Sequence, residues 1–157
     1  MNYRLAAAAD IPAMARIRAA EWESEEYWLR RLAAYMGGTL DPQQALTPRI
    51  TCVAVHDEQV VGFIAGHRTR RFDCDGELEF INVIPAHRGT GVATELLRLL
   101  AQWFVERKAL RVCVDPDDPA RRFYTRHGAV PLNWHWLVWP DISVVLRTDM
   151  PIRSIAT

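Results

Sequence analysis

Neither sign of charge is in excess: the 157 residues carry 19 basic and 19 acidic side chains, for a formal net charge of zero. A chain so balanced lacks the basic footprint by which nucleic acid is bound, and no nucleic-acid partner is expected. Long apolar runs are missing as well. In "MNYRLAAAADIPAMARIRAAEW" the alanine run gives way at once to Asp10 and Pro12, which suits neither a signal core nor a membrane span, so no membrane partner is expected. Cysteine is scarce: Cys52, Cys74 and Cys113 lie far apart with no CxxC spacing. An odd count without a disulfide framework points to a reducing compartment, the cytoplasm. Asp73-Cys74-Asp75 has no second cluster of ligands to complete it, so it reads as a loop and no metal is expected. Ser143 and the five histidines form no nucleophile–base spacing.

What is present fits one domain spanning residues 1–157, long enough to bury a core. Asn2 to Ala6 form a short strand, and Asp10-Ile11-Pro12 starts a helix with a capping carboxylate and an early proline. A second helix, "EEYWLRRLAAYMGG", places Trp28, Leu29, Leu32 and Tyr35 at spacings of three and four before Gly37-Gly38 stops it. "TLDPQQALTPR" then reads as loop. From Ile50 the period becomes two, with two β-rich runs joined at His56-Asp57-Glu58-Gln59 and a third strand in "ELEFINVI". The helix over 92–107 has Val92, Leu96, Leu97, Leu100 and Phe104 on one face, so it packs on a sheet. "LRVCVD" follows as a buried strand, then a short helix from Asp117 or Asp118 to Gly128, and one or two final strands turning at Pro140-Asp141. This order of elements predicts an α+β domain with a mixed sheet.

Between the third strand and the long helix lies "NVIPAHRGTGVAT", residues 82–94. A helix N-terminus presents N–H groups without intrahelical partners and a partial positive charge, which favours phosphate. Gly89 and Gly91 admit a ligand to the main chain, Thr90 and Thr94 add hydroxyls, and Arg88 adds a cation; together they suit a pyrophosphate. Two other phosphate loops are absent: GxxxxGK[ST] occurs nowhere, and the third glycine of GxGxxG is replaced by Thr94.

With the strand "ELEFINVIP" before it and "ARRFYTRHGA" after it, this stretch resembles the coenzyme-binding segment of the GNAT superfamily of acyl-CoA N-acyltransferases. Its [QR]-x-x-G-x-[GA] pattern is matched by Arg88, Gly91 and Ala93, and the resemblance is strong over residues 50–130. It implies a mostly antiparallel sheet of six to seven strands with a splayed centre, about four helices, and acetyl-CoA as cosubstrate. It also implies that the pantetheine arm pairs with the main chain at Ile81 and Val83. The amides of Gly89, Thr90, Gly91, Val92 and Ala93 would hold the pyrophosphate, with Thr94 adding a hydroxyl. Asp117 sits where many relatives carry an asparagine. Basic residues of "RTRRF" and "ARRFYTR" are candidates for the coenzyme's 3′-phosphate.

Acyl transfer to an amine needs a base, since an alkyl ammonium has a pKa of about 10.4, and the departing thiolate benefits from an acid. Tyr124 matches the tyrosine found near the coenzyme sulfur in the family and is the expected acid. Glu77 and Glu79 share one face of a strand. Glu77, at the offset of a carboxylate used as base by some members, is the first candidate and Glu79 the second; His87 reads as a loop residue. The family builds its acceptor pocket from the early helices and late strands, which here hold every tryptophan but Trp103, with Glu21, Glu23, Glu25 and Glu26. An aromatic, acidic pocket suits a small cationic amine. A protein lysine or N-terminal amine is the alternative acceptor, and a non-catalytic coenzyme sensor the alternative of another class; a monomer and a homodimer are both compatible.

Overall fold

The period-two segments after Ala45 fold into the middle of a seven-stranded sheet. The computed structural model describes residues 1–39 and 45–147. Strands β1 (Asn2–Leu5), β2 (Leu46–His56), β3 (Gln59–Arg68), β4 (Gly76–Val83), β5 (Val112–Val114), β6 (Val130–Pro131) and β7 (Leu137–Trp139) lie in the order β1-β2-β3-β4-β5-β7-β6. Every neighbouring pair is antiparallel except β4 with β5. Helices α1 (Ile11–Ala19), α2 (Glu25–Gly37), α3 (Val92–Glu106), α4 (Asp118–Arg126) and α5 (Val144–Arg147) flank the sheet. Among them no helix is long and apolar enough to cross a membrane.

Two local expectations change. The stretch after Pro140 forms α5 rather than a strand, because Asp141 Oδ1 accepts from the Ser143 N–H at 2.9 Å and caps a helical turn before Val144. The final strand pair instead lies wholly before Pro140, as β6 and β7. Residues 46–49, read as loop, already belong to β2, while residues 40–44 of that loop lie outside the described residues.

Two apolar layers fill the faces of the sheet. On one, Leu96, Leu97, Leu100 and Phe104 of α3 pack against Ile64, Leu78 and Val112, each large side chain contributing about 1.5–3 kcal/mol by leaving water. That contact is close: a Cβ on Gly76 would stand 2.3 Å from the Phe104 ring, so only glycine lets α3 lie this near β4. On the other face Met14, Trp28, Leu32 and Tyr35 of α1 and α2 pack against Phe63 and Phe80.

The sheet opens at its centre. β4 and β5 pair only over Gly76–Leu78 with Val112–Val114, after which β5 ends and β4 continues to Val83 paired with β3 alone. At the same point β4 is bulged: Gly66 of β3 faces Leu78 and Ala65 faces Phe80, leaving Glu79 as the extra residue. The bulge resets the alternation. Leu78 joins the α3 layer but Phe80 the α1–α2 layer, and Ile81 and Val83 return to the α3 side.

Candidate active site

The gap between β4 and β5 is floored by the bulge, and a cavity of about 500 Å³ lies over it on the α1–α2 side. Glu79, Ile81, Tyr124, Asp117 and Arg18 are among the residues that line it. The structure brings the two glutamates together, with polar atoms of His67, Glu77 and Glu79 within 4.8 Å of one another. Their roles differ. Glu77 is buried, accepts from Arg71 Nε at 3.0 Å and lies 3.6 Å from His67 Nε2, whose other ring nitrogen meets the Tyr35 hydroxyl at 2.8 Å. Glu79 faces the cavity, and its Oε1 is buried without a hydrogen-bond partner. Burial first, and the Glu77 charge second, push its carboxyl up to about 7. Such a group takes up and releases protons near neutrality, as a general base must.

Tyr124 reaches the cleft from α4. Asp117 caps that helix through a 2.9 Å bond from the Ala120 N–H, and Pro119 stands in its first turn. The ring of Tyr124 packs edge-on against Trp139 at 5.8 Å, and only 4% of the residue is exposed. Burial raises its phenol above the usual value, so the hydroxyl stays protonated at neutral pH. Beyond it, His135 Nε2 and Asp115 Oδ1 pair at 2.5 Å on the cavity wall.

The glycine loop ends on α3 without a cap. Gly89 and Gly91 have φ of 76° and 90°, and Gly91, with no side chain to offer a capping bond, occupies the N-cap position. A Cβ on either glycine would meet nothing within 4 Å, so their conformation, not crowding, calls for glycine, and the space before the amides is open. The Thr90 hydroxyl donates to His87 O, Thr94 Oγ1 lies 3.3 Å from His127 Nε2, and Arg88 donates to Val83 O at 2.9 Å and to Glu21 at 2.6 Å. Arg88 thus ties the loop to the end of β4.

Other residues sort differently from the expectation. Trp22 and Trp28 do line the cleft, but Trp139 is core and Trp134 is 93% exposed. Glu21 pairs with Arg88, and Glu26 with Arg30 at 3.5 Å; the acidic lining comes from Glu79, Asp115 and Asp117 instead. Asp73 ends a 3-10 turn over Arg71–Asp73, and Cys74 and Asp75 lead from it into β4. Arg18, Arg31, Asn82 and His67 were not singled out from the sequence. One signal was legible: Arg18 follows Met14 by one helical turn, a cation on an apolar stripe.

The profile of the acetyltransferase (GNAT) family matches residues 11–129. Among solved structures, an aminoglycoside 6′-N-acetyltransferase from Acinetobacter haemolyticus is 24% identical, with a TM-score of 0.62 over 81% of this chain and 87% of its own. A GNAT family N-acetyltransferase from Escherichia coli in complex with CoA is 20% identical, with a TM-score of 0.67 over 92% and 83%. The aminoglycoside 6′-N-acetyltransferase from Enterococcus faecium is 16% identical, also at 0.67, over 90% and 97%. At these identities the three structures share the fold with this chain, whereas the family match spans most of the sequence. The chain belongs to the acetyltransferase (GNAT) family.

Proposed function

We infer that the protein transfers an acetyl group from acetyl-CoA to a primary amine of a small molecule, by direct attack while both substrates are bound. The observation that carries this is Glu79, a carboxylate with a buried, unpartnered oxygen that lines the cavity from the bulge where β4 and β5 part. The residues fit the coenzyme: an uncapped helix end with open space before Gly89 and Gly91, and an edge of β4 beyond Leu78 left unpaired by β5. The amides from Gly89 to Ala93 hold the pyrophosphate, with Arg88 and Thr94 beside them, and the main chain at Ile81 and Val83 pairs with the pantetheine arm. Asp117, engaged as a helix cap, flanks that arm.

Bound acetyl-CoA supplies an activated thioester; the chain does the rest. Glu79 takes the proton of the acceptor's ammonium, freeing the nitrogen lone pair to attack the thioester carbonyl carbon. Main-chain N–H groups at the parted strands stabilise the charge that develops on the carbonyl oxygen. As the C–S bond breaks, Tyr124 donates its proton to the sulfur and recovers one from the nitrogen of the tetrahedral intermediate, leaving a neutral amide, while Glu79 returns its own proton to solvent. Glu77 serves as a positioning residue: held by Arg71, with His67 Nε2 3.6 Å away, it stands behind Glu79, whose carboxyl its charge helps to raise. The size of the cavity and its lining by Trp22, Trp28 and Tyr27 support a small acceptor over a protein chain, and two of the structural relatives are named for small-molecule acceptors.

The test is thiol release from acetyl-CoA across polyamines, amino acids, aminoglycosides and lysine peptides. Release with a small amine, matched by acetylated product, is expected. Coenzyme binding with a blank panel would turn the reading toward a sensor, and release with peptides alone toward a protein substrate.

A further inference from the structure

The cleft contains cations that the transfer reaction does not use. Arg18 projects from α1 with its guanidinium 4.6 Å from the Trp22 ring centre, 4.4 Å from Trp28 and 4.9 Å from Phe80. The aromatic faces expected to receive a cationic substrate are therefore occupied by the protein's own cation. One terminal nitrogen donates to Asn82 Oδ1 at 2.7 Å, and Nε is buried with no acceptor. No carboxylate of the described residues lies within 4.0 Å of Arg18; Glu21, Glu79 and Asp117 reach it only through space. Arg31, from α2, lines the same cavity, also without an ion pair among the described residues, and its charge acts on Glu79.

A guanidinium withdrawn from water without a counter-ion is costly, and stacking on rings offsets only part of that cost. Arg18, so withdrawn, and the half-buried Arg31 face one cavity and make a receptor for an anion. They also repel a substrate whose only charges are positive. The remaining wall has the opposite sign, with Glu79 Oε1 unpartnered. A cleft with cations on the helix side and a basic carboxylate on the strand side matches a molecule carrying both an anion and an amine.

We propose that Arg18 and Arg31 form an anion subsite for a carboxylate of the acceptor, so that the acceptor class is an amino acid or another small amino-carboxylate rather than a polycationic amine. The planar fork of Arg18 suits a carboxylate, and Asn82 fixes its orientation. The ammonium of the same molecule then lies toward Glu79. This assignment rests on the N-acetyltransferase reading and deepens it.

Matched acceptors test it. Thiol release is measured for L-amino acids with aromatic, aliphatic, acidic and basic side chains, each beside its carboxamide, with a polyamine and an aminoglycoside alongside. The preferred acid is expected to exceed its carboxamide by about ten- to a hundredfold in kcat/KM. Arg31→Gln should lower kcat/KM for the acid about tenfold more than for the carboxamide, and Arg31→Lys should keep part of the preference. Equal losses for both acceptors, or wild-type preference for carboxamides, polyamines or aminoglycosides, overturn the subsite while leaving N-acetyl transfer intact. If no acceptor releases thiol, the enzymatic reading fails, and the subsite is then decided by Trp22 and Trp28 fluorescence in the CoA complex. Saturable quenching by amino acids but not by their carboxamides upholds it, and equal or absent responses overturn it.

Discussion

Replacing Glu79 with glutamine keeps the shape of the side chain and removes its charge, and the structure sets the size and sign of the result. The folded carboxyl titrates at about 7 against an ordinary value of 4.5, chiefly through burial and then through Glu77. Because the folded pKa is raised, the folded state binds more protons than the unfolded state between those two values. Stability carried by the protonated side chain is thus complete below pH 4.5 and is lost as pH rises toward 7. The difference amounts to about 3 kcal/mol once the carboxylate is ionised, at about 1.4 kcal/mol per pKa unit. The glutamine variant carries no such penalty, so it should be more stable than the parent by about 2 kcal/mol at pH 8, allowing for the imperfect amide replacement, and equally stable near pH 4.5. Urea unfolding at pH 4.5, 6 and 8 measures this directly. The same variant should lose about 10²- to 10⁴-fold in kcat/KM, as expected for removal of a general base. A stability difference that is constant across pH, or destabilisation at pH 8, would refute the placement of Glu79 as a desolvated, ionising group.

Glu77→Gln should move the acidic limb of the kcat/KM profile below pH 7 by about one unit, since it removes the like charge behind Glu79 while Arg71 retains an acceptor; an unmoved limb separates Glu77 from the base. Tyr124→Phe should lower kcat by about 10²-fold with little change in CoA affinity measured by calorimetry, in keeping with loss of a proton donor. Gly91→Val should abolish CoA binding in the same assay, because φ of 90° is strained for a β-branched residue and its side chain would enter the open space before the α3 amides. Gly76→Val should cost about 3 kcal/mol or more in urea unfolding through its clash with Phe104, without altering the pH profile of the remaining activity.

The donor side of the site was the more legible part of the sequence because it is local. A strand, a glycine pair and an amphipathic helix follow one another from Glu77 to Glu106, and contiguous residues fix both the uncapped helix end and its glycine conformations. The splayed centre followed from the resemblance. The bulge at Glu79 carries no turn residue to announce it; only its partner β3 reveals it, and it decides which glutamate faces the cavity. Arg18 was hidden for a similar reason. Its surroundings come from α1, the segment before α2, α2 itself and β4, so no local spacing encodes the cage of Trp22, Trp28 and Phe80. At α5, Val144 and Val145 favour strand, but the Asp141 cap and the packing of Val144 over Gly128 outweigh that preference.

The central claim is that the gap between β4 and β5 holds donor and acceptor together and passes the acetyl group directly from one to the other. Initial rates over a grid of acetyl-CoA and acceptor concentrations test it most directly. Double-reciprocal lines that intersect, with no acetyl group on the protein after incubation with acetyl-CoA alone, are the expected result. Parallel lines accompanied by an acetylated side chain in mass spectra would contradict it.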